Sequence, residues 1–399
     1  MPLRKYIFNP IRQLAEHGKL SGILLIGATL FSLLLSNFDF GASYLGLWHT
    51  ELGFSFLHFD LRHWINDALM PLFFLLVGIE IKREVVKGEL SRPRQAILPV
   101  AAAAGGILVP AAIYAAFNFN NPETISGWAI PTATDIAFSL GILSMLGRRV
   151  PFAIKIFLTA LAIIDDLGAI LIIAVFYTGS LQLTMLLYAG LAMLALILMN
   201  LFRIRTVIPY MLVGVLLWYF ILRSGIHPTI AGVLAAFTIP SSLAEKAEEK
   251  MNNLVYYAIL PLFALANTAI PLQVSITEGL FSGLNLGIMF GLVAGKPLGI
   301  LLFTFILVRT RLGKLPGEVT WRQLLGMGLT AGIGFTMSIF IATLSFGSES
   351  LTDMAKLAVL AGSMAAAIAG ILVLLSVRKG REEEENGEVT GSLNIPFSP

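Results

Sequence analysis

Six ionisable residues stand inside apolar stretches of this chain: Asp67, Asp135, Lys155, Asp165, Asp166 and Lys296. The sharpest feature is the adjacent pair Asp165-Asp166, set in Ile163–Ala169. On a helix, neighbours diverge by about 100°, so the two carboxylates cannot share one small pocket equally. Close together, they titrate as a coupled unit, and with both ionised they repel. Oxygen ligands of this kind suit a small hard cation taken up in exchange for protons. The competing reading is a salt bridge to Lys296 with no transport role, but one Lys cannot neutralise two Asp. Lys296, in Gly295-Lys296-Pro297, can pair with an Asp or add positive charge to the site. Thr134 and Asp135 follow the helix-weakening stretch Ala129–Ala133, which contains Pro131. A carboxylate there compensates the positive end of a helix restarting after a break, and Thr134 offers an oxygen. Asp67 and Lys155 lie near the ends of their stretches and read as interfacial.

Such groups need a particular setting. Of 399 residues, 57% are hydrophobic and 13% charged, with a mean hydropathy of +0.83. An ordinary soluble domain is roughly 25% charged. This chain cannot clothe a soluble surface, and it is too apolar to be disordered; it belongs in lipid. There each mid-membrane charge costs at least about 2.5–3.5 kcal/mol, so a chain keeps one for a pair, a cavity or a proton path. The net charge of +3 is too small to suggest nucleic acid. With no cysteine, disulfides, iron–sulfur clusters and thiol catalysis are excluded.

Apolar runs bounded by charges, Pro and Gly predict an all-α membrane protein of about 12 transmembrane helices. They lie near 20–36, 63–81, 95–117, 127–146, 151–176, 181–200, 206–222, 225–242, 252–271, 286–308, 323–346 and 354–376. No small-residue cleavage site follows the first run, which reads as a retained span. With both termini cytoplasmic, the Lys and Arg residues outside are Arg62, Arg223 and Lys356. Lys155 and Lys296 fall within spans, and all others lie on the cytoplasmic side, the positive-inside pattern loop by loop. The centres of spans 4, 5, 10 and 11 fall beside Asp135, Asp165-Asp166, Lys296 and Gly334, near one plane. Spans 3–5 run opposite in sense to spans 10–12. The middle member of each triplet is interrupted, span 4 before Asp135 and span 11 at Ala331–Thr336. Matched interruptions in oppositely oriented triplets point to an inverted-repeat secondary transporter.

Residues 1–380 read as a single transmembrane transporter domain, and 381–399, opening with Glu382–Glu385, as a disordered acidic cytoplasmic tail. The longest outer loop is 37–62, where the alternation of Phe54–Asp60 predicts a half-buried strand. Residues 243–251 form an acidic inner loop with Glu245, Glu248 and Glu249. At the inner end of span 2, Glu80 and Glu84 share a helix face beside Arg83. His227 stands early in span 8.

These segments resemble the NhaA family of bacterial sodium/proton antiporters over about residues 15–378. The likeness is carried by Trp64–Met70, Gly78–Glu84, Gly127–Phe138, Lys155–Ile170, Gly295–Gly299 and Gly332–Ile341, with Ile163–Ala169 the most specific. That family is itself a standing example of inverted-repeat transporters, so the agreement in architecture is not independent. The resemblance implies two discontinuous helices, spans 4 and 11, crossing near mid-membrane. It implies electrogenic exchange of cytoplasmic Na+ or Li+ for external H+, serving sodium and pH homeostasis at the bacterial inner membrane. Asp166 is then central to cation binding, and Asp165 joins it or pairs with Lys296. Thr134, Asp135, Lys296 and Gly334 belong to the crossing. Glu80, Arg83, Glu84, His227 and Glu248 become candidates for pH sensing, with Glu245 and Glu249 standing where the family has a Lys and a His. A homodimer joined through the 37–62 loop is also implied. No resident cofactor is expected, since Na+, Li+ and H+ are cargo, and the partner is the lipid bilayer.

Two other classes fit less well. A sodium-coupled symporter of small organic anions needs a roomier cavity and polar substrate ligands, whereas this midplane is mostly Ala, Gly, Ile and Asp. An intramembrane aspartyl protease needs Tyr-Asp and Gly-x-Gly-Asp, and neither occurs. The chain is therefore not read as an enzyme.

Overall fold

A computed structural model describes residues 20–54, 57–272, 281–315 and 319–377. The acidic tail at 381–399 lies outside them. Helix α1 (Leu20–Ser36) leads to a short α2 (Gly41–Trp48), the strands β1 (Glu51–Phe54) and β2 (Leu57–Asp60), then α3 (Leu61–Lys87) and α4 (Pro93–Asn118). The segment Ile125–Met145 opens as 3-10 turns over Ile125–Thr132 and resumes as α5 (Ile136–Met145). Next come α6 (Phe152–Phe176), α7 (Leu183–Leu201), α8 (Val207–Ser224), α9 (Thr229–Thr238) and α10 (241–267). The chain closes with α11 (Gly283–Arg309), α12 (Trp321–Ala331), α13 (Phe335–Ser345) and α14 (Glu349–Leu375). Among the described residues eight helices are long and apolar enough to cross a membrane. A ninth is the pair α12–α13, bent by 46° at its break.

Three helices widen locally into π-turns, at Ile65–Leu69 in α3, Val255–Ile259 in α10 and Gly291–Gly295 in α11. Each ends two residues before a proline: Pro71, Pro261 and Pro297. Proline has no N–H to give, and its ring pushes aside the carbonyl four residues earlier. A widened turn absorbs both defects without ending the helix. These turns hold Asn66, Asp67 and Tyr256, and the third delivers Lys296 to the interior.

Packing relies on small residues, because lipid gives helices no hydrophobic reason to associate. A Cβ on Gly105 of α4 would stand 2.2 Å from the Gly299 carbonyl oxygen of α11, and one on Gly299 would stand 2.0 Å from that of Gly105. Gly232 of α9 meets the Pro71 carbonyl of α3 equally closely, at 2.1 Å. The hairpin of α7 and α8 is peripheral, with 11% and 22% of its apolar stretches buried against 72% in Ile125–Met145 and α6. The buried interior, where a small ion could be held, is therefore built mainly by the other helices.

Three expectations need correction. Residues 54–60 are not one strand: β1 and β2 pair antiparallel, Glu51 with Asp60 and Phe54 with Leu57. The stretch read as one strand straddles two: the alternation extends back through Leu52 and slips at the adjacent apolar pair Phe56-Leu57, where β2 begins. The acidic stretch 243–251 is not a loop but the first turns of α10. Span 8, expected over 225–242, has only the ten helical residues of α9, because Pro228 starts it and Pro240 follows it.

Candidate functional site

The two interruptions meet. The Asp135 N–H donates to the Ile333 carbonyl at 2.7 Å, joining the gap before α5 to the gap before α13. Two helix N-termini thus face the centre of the bundle, each with backbone donors lacking a helical partner. Asp135 satisfies both. One carboxylate oxygen accepts from the Phe138 N–H at 3.0 Å, and the other accepts from the Thr336 N–H at 3.2 Å and hydroxyl at 2.6 Å. A single negative charge thereby balances two positive helix ends. Ser338 adds a further tie, donating to the Ile130 carbonyl at 2.6 Å.

Gly334 stands at this junction for want of room. A Cβ there would lie 2.0 Å from the Ser338 hydroxyl oxygen. Gly334→Ala should push Ser338 off Ile130 and loosen the two breaks together. We expect a loss of about 1–3 kcal/mol, read as a lower melting temperature in detergent. Ser338→Ala keeps the space and loses only the hydrogen bond, so it should cost less. Equal melting points for all three proteins would contradict this account.

The adjacent aspartates of α6 go separate ways. Asp165 turns to Lys296, whose ammonium lies 2.7 Å from its Oδ2. Both side chains are fully buried. Lys296 also donates to the Thr132 carbonyl at the end of the 3-10 turns. The Thr134 hydroxyl lies within reach of both Asp165 Oδ2, at 2.8 Å, and the Ala331 carbonyl, at 2.9 Å. The buried pair is thus anchored to both interrupted segments, and one oxygen of Asp165, Oδ1, has no hydrogen-bond partner.

Asp166 faces a different wall. It lines a small pocket of about 20 Å³ together with Glu80, Thr134, Asp135, Tyr256 and Thr336. That volume admits one water-sized sphere, the scale of a bare small cation. Asp166 is 2% exposed, and its Oδ1 has no hydrogen-bond partner. Glu80 is equally buried, with Oε1 likewise unpartnered. Among the described residues no three His, Asp or Glu side chains form a metal-binding group. A cation here would draw on one or two carboxylates plus hydroxyl and carbonyl oxygens.

Glu80 links this pocket to the ion-pair cluster at the C-terminal end of α3. One turn on, Arg83 is paired with Glu248 of α10 and lies 3.8 Å from Glu84. Lys87 lies 2.5 Å from Glu245. Burial holds the Glu248 carboxyl above its ordinary range, against the pull of Arg83, and Glu245 and Glu84 push it further up. Glu249 points to solvent. His227 is nowhere near this cluster. It lies on the opposite side, 3.4 Å from Asp67, with its ring edge-on to Phe340.

Sequence reading missed Thr336, Ser338 and Tyr256. The first two carried a weak signal, as hydroxyls just past the break at Gly332-Ile333-Gly334; both reach across to the other interrupted segment and neither caps its own helix. Tyr256 carried none, because only the packing of α10 brings it beside Asp166.

Buried charges gathered where two interrupted helices meet, inside an apolar helical bundle, define a multi-pass membrane transporter. The chain belongs to the family described as Na+/H+ antiporter 1, whose model matches residues 12–374. It is 49% identical over 373 residues to the Na(+)/H(+) antiporter NhaA 2 of Flavobacterium johnsoniae, covering 91% of both chains. To the Na(+)/H(+) antiporter NhaA of Citrobacter koseri it is 49% identical over 365 residues, covering 88% of this chain and 93% of the other. In fold it is similar to the sodium proton antiporter MjNhaP1 from Methanocaldococcus jannaschii, at 15% identity and a TM-score of 0.52, covering 94% and 99% of the two chains.

Proposed function

We propose that this chain exchanges cytoplasmic Na+ or Li+ for external H+ at Asp166, with Asp165 as its coupled partner. The carrying observation is the Asp166 carboxylate, buried with an unpartnered oxygen in a pocket the size of one small ion. Oxygen donors for a cation stand around it, and so do proton acceptors. Na+ and H+ then compete for one carboxylate. Lys296 holds Asp165 until it is released to join the cation or take a proton, so more protons enter than Na+ ions leave and the cycle is electrogenic. Thr134, Asp135 and Gly334 keep the two breaks in register while the ion passes.

In this reading the protein has twelve spans. The bent pair counts as one, and α1, α9 and α10 complete the set. Spans 3–5 and 10–12 are inverted repeats, with the Asp135–Ile333 contact marking where spans 4 and 11 cross. Both termini are read as cytoplasmic, at the inner membrane of a bacterium, a reading supported by the distribution of Lys and Arg among the loops. The β1–β2 hairpin is then external and is the element proposed to join two protomers. No resident cofactor is required.

The exchange is tested by dequenching of a pH dye in everted vesicles. Addition of Na+ or Li+ should release protons from the vesicle interior, and K+ should not. An equal response to K+, or none to Na+, would refute it.

Control by pH is placed at Glu80, Arg83, Glu84 and Glu248, with deprotonation as the activating step. Glu245 opposes that step, because its charge disfavours ionisation of Glu248. Glu245→Gln should therefore move the activity–pH midpoint down by roughly 0.3 of a unit at low salt and less at high salt. The maximal rate should not change. Dequenching measured from about pH 6 to 9, a range bracketing the titration of such groups, checks it. An unmoved midpoint would make Glu245 a solvated surface charge.

A further inference from the structure

Beneath the hairpin lies an open funnel of about 430 Å³, on the far side from the Glu80–Glu248 cluster. Its charged lining comes from every element around it. The acids are Asp60 of β2, Asp67 of α3, and Glu349 and Asp353 of α14. The permanent cations are Arg62 of α3 and Lys356 of α14. Three histidines complete it: His49 after α2, His63 on α3 and His227 before α9.

Each histidine faces an acid. His63 Nε2 lies 2.9 Å from one oxygen of Asp67, and His227 Nε2 lies 3.4 Å from the other. His49 Nδ1 lies 3.7 Å from Asp60. Lys356 is paired with Asp353 at 3.3 Å. With neutral imidazoles the four acids outnumber the two cations, and the funnel is negative. Protonating His49 and His63, whose side chains are 47% and 54% exposed, cancels the excess. Histidine is the side chain whose charge responds to pH in the physiological range, so the charge of the funnel follows the medium it opens to.

We propose that these histidines set how strongly the funnel gathers external Na+: at alkaline external pH its net negative charge concentrates Na+ before the exchange site, and at acid pH protonation of His49 and His63 removes that attraction. The proposal rests on the exchange reading above and on the hairpin being external. Low-dielectric walls focus such a field, and its loss at acid pH slows the re-entry of expelled Na+. His49 and His63 act here as specificity-determining residues distinct from the ion-binding carboxylates.

The funnel's potential can be read without transport. The chain has no cysteine, and a Cβ on the funnel residue Gly347 meets nothing within 4 Å. Gly347→Cys is exposed to two membrane-impermeant methanethiosulfonates, one carrying a trimethylammonium and one a sulfonate. The ratio of their reaction rates cancels the thiolate fraction. From external pH 8.5 down to 5.5 the cation-to-anion ratio should fall by about tenfold, and by about threefold or less once His49→Gln and His63→Gln are added. A ratio indifferent to pH, or an undiminished fall without the two histidines, overturns the proposal. In right-side-out vesicles held at fixed internal pH, the half-saturating external Na+ should be about threefold lower at pH 6 in the two-histidine variant than in the wild type, and equal at pH 8.5. Absence of Na+ flux in the wild type would count against exchange itself, while the thiol ratio still decides the funnel.

Discussion

Asp166→Asn abolishes Na+-driven proton movement and leaves the protein folded in the membrane. The amide nearly matches the carboxylate in shape, so packing around α6 is retained. It cannot take up a proton or bring a negative charge to a cation, and at 2% exposure Asp166 is out of reach of bulk solvent that could substitute. The loss should be complete within the noise of a dequenching assay, with a melting temperature at or above the wild type, because a costly buried charge is gone. Wild-type dequenching in Asp166→Asn vesicles would remove Asp166 from the site.

Lys296→Ala acts on the fold as well as the cycle. It strips Asp165 of a partner 2.7 Å away at a place with no exposure, and it frees the Thr132 carbonyl that anchors the end of the 3-10 turns. Breaking a fully buried pair from one side costs about 3–5 kcal/mol. The penalty should shrink in acid, because a protonated Asp165 needs no counter-charge. A melting temperature well below the wild type at pH 8, with the gap narrowing toward pH 5, is the expected pattern. An unchanged melting point with unchanged exchange would make Lys296 incidental.

Much of this architecture was legible because lipid makes charges expensive and loops short. Asp135, Asp165, Asp166 and Lys296 stood out at one depth, and the stretches before Asp135 and at Gly332–Gly334 broke otherwise good helices. What one helix alone decides could be read, such as the divergence of Asp165 from Asp166. What several helices decide could not. Nothing in the spacing of Glu80 put it on the wall of the Asp166 pocket; its helix runs on through the expected inner end, and the burial comes from neighbours. The Lys87–Glu245 pair needed α10 to begin as far back as residue 241, which an acidic stretch conceals. Glu249, which by composition belongs with Glu245 and Glu248, falls on the outer side of that helix. The three π-turns had a signal in Pro71, Pro261 and Pro297, but proline alone does not say whether a helix ends, kinks or widens.

The central claim is that one buried carboxylate holds Na+ and H+ by turns. Its most direct measurement is proton release from the purified protein in weakly buffered detergent solution when salt is added. Na+ and Li+ should each release protons to a saturating level, K+ should release none, and Asp166→Asn should release none with any of the three. Equal release by K+, or full release from Asp166→Asn, would contradict it.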